Sequence, residues 1–228
     1  MGRAGRILAN QFYLPIEFDL GAIFLFALTG AWVAIRRNYD FIGVFTLALA
    51  TGVGGGLIRD SILIQQGAPA FMKDARDIWV VLAATVFGAL TFTLARRFDR
   101  LVAAVDALGL GAYAVVGVQK ALAAGLSPTA SILVGVANAT GGGLIRDLLV
   151  REEPLFLKPG QYYALAALAG CIMFLVLLQY WQLPAQVAAW STIAAIFLFR
   201  MLAIQFNWQT APMQHWGLWR PPRDEEKK

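Results

Sequence analysis

A chain of 228 residues that is 59% hydrophobic and only 14% charged is too poor in charge for a soluble domain, where about a quarter of residues are charged. Its net charge of +5 comes from basic residues that flank apolar runs, which points to anionic lipid headgroups as partners and away from nucleic acid. One cysteine, Cys171, excludes an internal disulfide, and with one histidine, His215, there is no metal-site spacing.

A membrane-crossing helix needs about 20 mostly apolar residues. That length predicts seven spans: 17–36, 41–66, 77–97, 101–122, 129–150, 160–180 and 184–204. Ahead of the first, Arg3 and Arg6 are followed by polar Asn10, Gln11, Glu17 and Asp19, which interrupt any signal-peptide core, so no cleaved leader is expected. Asp99 and Arg100 separate spans three and four. Ser127 and Pro128 open span five as N-cap and first helical residue. Pro159-Gly160 and Pro184 precede the last two. The tail, 205–228, ends in the mixed-charge run Arg223–Lys228 and is expected to be disordered.

Seven spans put the termini on opposite sides. Arg3, Arg6, Lys73, Arg76 and Lys120 fall on the N-terminal side, five in all. The other side carries twelve: Arg36, Arg37, Arg96, Arg97, Arg100, Arg151, Lys158, Arg200, Arg220, Arg223, Lys227 and Lys228. The positive-inside rule then predicts a cytoplasmic C-terminus and an N-terminus outside. Trp32, Trp79, Trp181 and Trp208 lie near predicted span ends, as an aromatic belt should.

Spans two and five contain the same heptapeptide, Gly54-Gly55-Gly56-Leu57-Ile58-Arg59-Asp60 and Gly141-Gly142-Gly143-Leu144-Ile145-Arg146-Asp147, 87 residues apart. At the same offset Asp19 matches Asp106, Phe26 matches Tyr113, Gly30 matches Gly117 and Ala34 matches Ala121. Pro69, Phe71 and Lys73 match Pro154, Phe156 and Lys158 at an offset of 85. Spans one to three therefore repeat as spans four to six. An odd number of spans per copy inverts the second, giving a pseudo-two-fold axis in the membrane plane. The predicted fold is an all-α membrane protein: a first three-helix repeat with its N-terminal segment (1–100), a second, inverted repeat (101–183), a seventh helix (184–204) and a cytoplasmic tail (205–228).

Glycine costs on the order of 1 kcal/mol against alanine inside a helix, and Arg or Asp at the bilayer centre about 2.5–3.5 kcal/mol. Two matched sites carrying both penalties predict helix breaks at Gly54–Gly56 and Gly141–Gly143, with freed carbonyls facing protein or a water-filled path and able to meet a monovalent cation. Gly54 would lie about 20 Å and Arg59 about 27 Å from the end where span two enters. Close helix packing is the plainer alternative, since Gly52 with Gly56 and Ala139 with Gly143 form small-xxx-small contacts. Arg59 and Asp60, being adjacent, are not expected to face each other on a helix. Pairs Asp19–Arg59 and Asp106–Arg146 are expected instead, with Asp60 and Asp147 near the breaks; these are gating elements or structural clamps. Lys120 either snorkels to the interface or gates a cation path. Thr51, Ser61, Asn138 and Thr140 are pore-lining candidates, although a Ser or Thr in a span often bonds only its own i−4 carbonyl. No enzyme motif is present. Gly52-Val53-Gly54-Gly55-Gly56-Leu57 lacks the last glycine and the βαβ setting of a dinucleotide loop, and Cys171 reads as packing. No cofactor and no resident metal are expected, only transient monovalent cations.

The duplicated Gly-Gly-Gly-x-x-Arg-Asp with upstream Asp19 and Asp106 resembles the prokaryotic members of the trimeric intracellular cation channel family over about residues 17–204. The resemblance implies a homotrimer with a separate pore in each protomer for potassium and other monovalent cations, kinked at Gly54–Gly56 and Gly141–Gly143, and it implies roles for Arg59-Asp60 and Arg146-Asp147. Animal relatives gate through a Lys-Glu-Val segment in span four. Here the region reads Val118-Gln119-Lys120-Ala121 and does not reproduce it. The favoured expectation is a passive potassium-permeable channel in the inner membrane. The alternatives are a secondary transporter of a small substrate such as glycine, a description sometimes given to this domain, and a membrane protein without flux. The lack of an isolated mid-span carboxylate leans toward the channel.

Overall fold

The computed structural model describes residues 14–65, 67–97, 99–158 and 162–208. The expectations for Arg3, Arg6, Pro159-Gly160, His215 and the Arg223–Lys228 run lie outside the described residues. The elements are α1 (Ile16–Arg36), α2 (Phe41–Leu57) continuing as a π-helical turn (Ile58–Ile64), the short α3 (Ala70–Lys73), α4 (Ala75–Arg97), α5 (Asp99–Ala123), α6 (Pro128–Leu149), α7 (Tyr163–Gln179) and α8 (Ala185–Gln205). All regular structure among the described residues is helical.

Local chemistry sets several boundaries. The Asp40 carboxylate accepts from the Gly43 amide at 2.8 Å and starts α2. Ser127 accepts from the Ala130 amide at 3.3 Å ahead of Pro128, as predicted for span five. The helical runs that carry the heptapeptides stop close to left-handed residues, Gln65 at φ 55° and Arg151 at φ 57°. In both copies an amide then closes onto the aspartate carbonyl five residues back: Gln65 N to Asp60 O at 2.9 Å, Glu152 N to Asp147 O at 2.8 Å. Six helical segments are long and apolar enough to cross a membrane; α7, with 17 residues, is the short one. It starts later than the predicted 160 because Tyr162, at φ 47°, is left-handed.

α1–α4 and α5–α7 carry the two copies in the same order. The inversion shows in reciprocal contacts where α2 crosses α6. A Cβ on Gly54 would lie 2.7 Å from Ile145 Cδ1, and one on Gly141 would lie 2.8 Å from Ile58 Cδ1. A Cβ on Gly55 would overlap the Asn138 carbonyl, and one on Gly142 the Thr51 carbonyl. Phe26 and Tyr113, equivalent residues, stack at 5.1 Å. Residues that contact their own equivalents sit on the pseudo-two-fold axis.

Two expectations are corrected here. The helices are not broken at the glycines: α6 is α-helical from Pro128 to Leu149, and α2 passes through its triplet before widening at Ile58. The glycines remove side chains so that two backbones can touch, and each helix keeps its internal bonds. Trp32 is not at an interface but 2% exposed, its indole donating to Thr91 Oγ1 at 3.2 Å. Gly88 allows this approach of α4 to α1, since a Cβ there would lie 2.9 Å from Ala31 Cβ. Trp79, Trp181 and Trp208 are exposed.

The crossing predicts a sign reversal. Gly→Ala inside a helix gains up to about 1 kcal/mol in propensity, while overpacking a filled contact costs about 1–3 kcal/mol. Gly55→Ala should lower the thermal midpoint of the detergent-purified protein. Gly21→Ala, where a Cβ meets nothing within 4 Å, should leave it unchanged or raise it.

Candidate functional site

Each copy of the heptapeptide places an arginine inside the bundle. Arg59 is 1% and Arg146 5% exposed, so each needs partners. Contrary to expectation, each pairs with its own neighbour. Arg59 donates from Nε to Asp60 Oδ1 at 2.6 Å and from Nη2 to Oδ2 at 3.0 Å; Arg146 Nε donates to Asp147 Oδ1 at 2.9 Å. The arginine stem is long enough to fold back, and the carboxylate is fixed from its other side. The Ala70 amide donates to Asp60 Oδ2 at 3.1 Å, and the Leu155 amide donates to Asp147 Oδ2 at 3.1 Å. The two amides stand at the offset of 85 that relates the post-heptapeptide segments.

The paired helices supply the second carboxylates. Arg59 Nη1 lies 3.7 Å from Asp19 Oδ1, and Arg146 Nη1 donates to Asp106 Oδ1 at 3.1 Å. Beyond this the clusters differ. Arg59 also donates to Asn138 Oδ1 at 3.3 Å, while Asn138 Nδ2 donates to the Tyr113 carbonyl at 2.7 Å. Arg146 donates to Thr29 Oγ1 at 3.1 Å. Lys120 Nζ is ion-paired with Asp19 and has no counterpart at Asp106 among the described residues. Its side chain is 31% exposed and is a partner in the cluster.

The first cluster opens into a cavity of about 400 Å³ at the face where α1 begins. Its polar walls are Asp19, Asp60, Asp74, Asp77, Gln119, Lys73 and Lys120. Asp74, outside the spans, is held below the usual carboxylate range by a side-chain hydrogen bond from Arg76. A narrow pocket of about 10 Å³, room for a single water, leads past Asp77 and Arg59 to Gly56 and Tyr113. The Tyr113 hydroxyl donates to the Gly52 carbonyl. At the opposite face Arg146, Asp106, Asp147 and Tyr163 are all buried.

The other polar candidates fall elsewhere. Thr51 and Thr140 donate to their own i−4 carbonyls, Leu47 at 2.6 Å and Val136 at 2.9 Å. Ser61 is exposed, because the π-helical turn that points Arg59 inward carries it to the outside. None of Thr51, Ser61, Asn138 and Thr140 lines the described cavities. Gly56 alone of the six glycines borders one. Arg200, counted among the loop cations, lies inside α8, 1% exposed, with its guanidinium 4.8 Å from the centre of the Tyr163 ring; without it the orientation count is still eleven to five. Thr29, Asp77, Tyr113, Tyr163 and Arg200 were not singled out from sequence. The offset of 87 that joins Phe26 to Tyr113 was the one available signal, and only for Tyr113.

A family model described as "Glycine transporter" matches residues 17–97 and 103–179. The chain is 34% identical to a UPF0126 membrane protein of Deinococcus radiodurans, over 79% of this chain and 83% of the relative. It is 33% identical to the UPF0126 inner membrane protein YadS of Escherichia coli, over 83% and 91%. A crystal structure of the TRIC trimeric intracellular cation channel orthologue from Rhodobacter sphaeroides superposes with a TM-score of 0.75 at 36% identity, over 84% of this chain and 97% of the other.

Breaking a buried pair leaves an uncompensated charge and costs about 3–5 kcal/mol. Asp106→Asn should approach that cost, because Asp106 is 3% exposed. Asp19→Asn should cost less, because the Asp19 side chain is 14% exposed and lies 3.7 Å from Arg59, against 3.1 Å between Asp106 and Arg146. Chemical denaturation of the two variants in detergent checks the order.

Proposed function

The chain belongs to the family that these relatives define, the prokaryotic trimeric intracellular cation channels with their duplicated glycine-transporter domain, and from that premise we propose that it is a passive, potassium-permeable cation channel. The path runs inside each protomer between the repeats 1–100 and 101–183, with 184–204 packed outside them and 205–228 as a cytoplasmic tail. The protein works as a homotrimer in the inner membrane, N-terminus outside, without a catalytic step or a cofactor.

One observation carries the reading. An acidic cavity at one face ends against a buried arginine, and the inverted copy holds the matching arginine at the other face. A low-dielectric wall with excess carboxylate concentrates cations at its mouth. On this reading Arg59 and Tyr113, which line the narrow pocket, close the route below the cavity, and conduction requires Arg59 and its partners to part. Gly54–Gly56 and Gly141–Gly143 form the pivot there, and Asp60 and Asp147 hold the arginines when shut.

A second reading, a secondary transporter of a small substrate such as glycine, is favoured by the family model's description and by the inverted repeat, which many transporters share. Reconstitution in liposomes separates the two. Unitary currents that reverse with the potassium gradient are expected; slow, saturable glycine uptake without such currents would sink the channel reading.

The vestibule also makes a prediction about Lys120. Removing a positive charge from its wall should raise cation flux, and salt should screen the effect. Lys120→Met is expected to increase potassium conductance a few-fold at about 10 mM salt, where the Debye length is roughly 30 Å, and hardly at 1 M, where it is roughly 3 Å.

A further inference from the structure

Asp77 stands apart from the other carboxylates. It lies in the first turn of α4 and is 6% exposed. It borders both the cavity of about 400 Å³ and the narrow pocket below it, and among these residues only Asp19, Asp60 and Ala70 share that position. Asp60 has Arg59 and the Ala70 amide, and Asp19 has Lys120 and Arg59. Asp77 makes no hydrogen bond or ion pair with a described residue. The charged groups lining the two spaces with it are Asp19 from α1, Arg59 and Asp60 from the π-helical turn, Lys73 from α3, Asp74 between α3 and α4, and Lys120 from α5. Arg59 and Lys120 are engaged by Asp19 and Asp60, and Lys73 on the cavity wall forms no ion pair with Asp77, so the buried Asp77 carboxylate has no direct counter-charge among the described residues. Burying such a charge is costly unless something neutralises it.

We propose that Asp77 is the carboxylate of a binding site for a partly dehydrated monovalent cation at the neck between the vestibule and the narrow pocket, with Asp19 lining the same wall. The proposal rests on the channel reading for its role in flux but not for the binding itself. A hard oxygen ligand with a single negative charge suits an alkali ion. The vestibule delivers the ion hydrated, and the narrow pocket admits it only after it has shed water.

Conductance in planar bilayers is measured against potassium concentration for the wild type, Asp77→Asn and the wall control Asp74→Asn. Thermal midpoints in detergent are measured in potassium and in N-methylglucamine at equal ionic strength. The wild-type conductance should saturate, and Asp77→Asn should raise the half-saturating concentration roughly tenfold, the scale of one partly screened charge contact. Asp74→Asn, which removes a charge from the vestibule wall and not from the neck, should raise it less, and by an amount that added inert salt screens away. Potassium should stabilise the wild type over N-methylglucamine, and Asp77→Asn should abolish that difference. If the wild type carries no current yet shows the Asp77-dependent stabilisation, the channel reading fails and the site stands. If Asp77→Asn matches the wild type in both measurements, the site is overturned. Should the variant not fold, thallium soaked into crystals of the wild-type protein decides: an anomalous peak within coordinating reach of the Asp77 carboxylate supports the site and its absence refutes it. Stabilisation that follows pH and ignores potassium would assign Asp77 a proton and also refute it.

Discussion

Where α2 crosses α6, two glycines on each helix bring the backbones together: the Asn138 and Thr51 carbonyls occupy the space a Cβ on Gly55 or Gly142 would need, and Ile145 and Ile58 fill it at Gly54 and Gly141. Lipid gives helices little hydrophobic reason to associate, so close packing and polar bonds have to hold them. The crossing supplies the packing. Because it lies on the pseudo-two-fold axis, with Phe26 stacked on Tyr113 beside it, it also sets the rest of each helix in mirrored positions. Three residues past the triplets come the arginines, one toward each face.

Those arginines are what the fold must neutralise. Both are served in the same way: by the next residue, whose carboxylate is pinned by an amide of the following segment, and by an aspartate from the first helix of the same repeat. The arrangement is self-consistent only if the loop after the heptapeptide folds back under it, which ties loop, crossing and charge into one unit. The symmetry then fails at a few positions, and the failures have consequences. Lys120 joins Asp19, whereas the equivalent position in the first repeat is Val33 and among the described residues no lysine pairs with Asp106; Asp77 adds a carboxylate at the first face. One cluster thus borders an open cavity, and the other is buried beside Thr29, Tyr163 and Arg200. An identical motif in two copies therefore yields two environments of different electrostatic character.

Much of this was written in the order of residues. The apolar run lengths marked the membrane spans, the offset of 87 marked the duplication, and three spans per copy required the inversion. The matched positions of Asp19 and Asp106 pointed to the arginines they approach. What the helices do at the glycines was misread, because a glycine triplet lowers helix propensity but says nothing of a neighbouring backbone that rewards its bareness. The Arg–Asp neighbours were misread because side-chain reach on an isolated helix ignores the amide that fixes the carboxylate.

Asp77, Thr29, Tyr163 and Arg200 had no pattern to reveal them. Each is ordinary in its own stretch and gains meaning only from helices distant in the chain. Periodicity, duplication and charge are local or repeated properties, so the linear chain determined the spans, their inversion and which charges fall within them. Which carboxylate is left without a partner, which face stays open to water and whether a helix breaks or packs are decided by contacts between elements, since burial and electrostatic balance exist only once those elements meet.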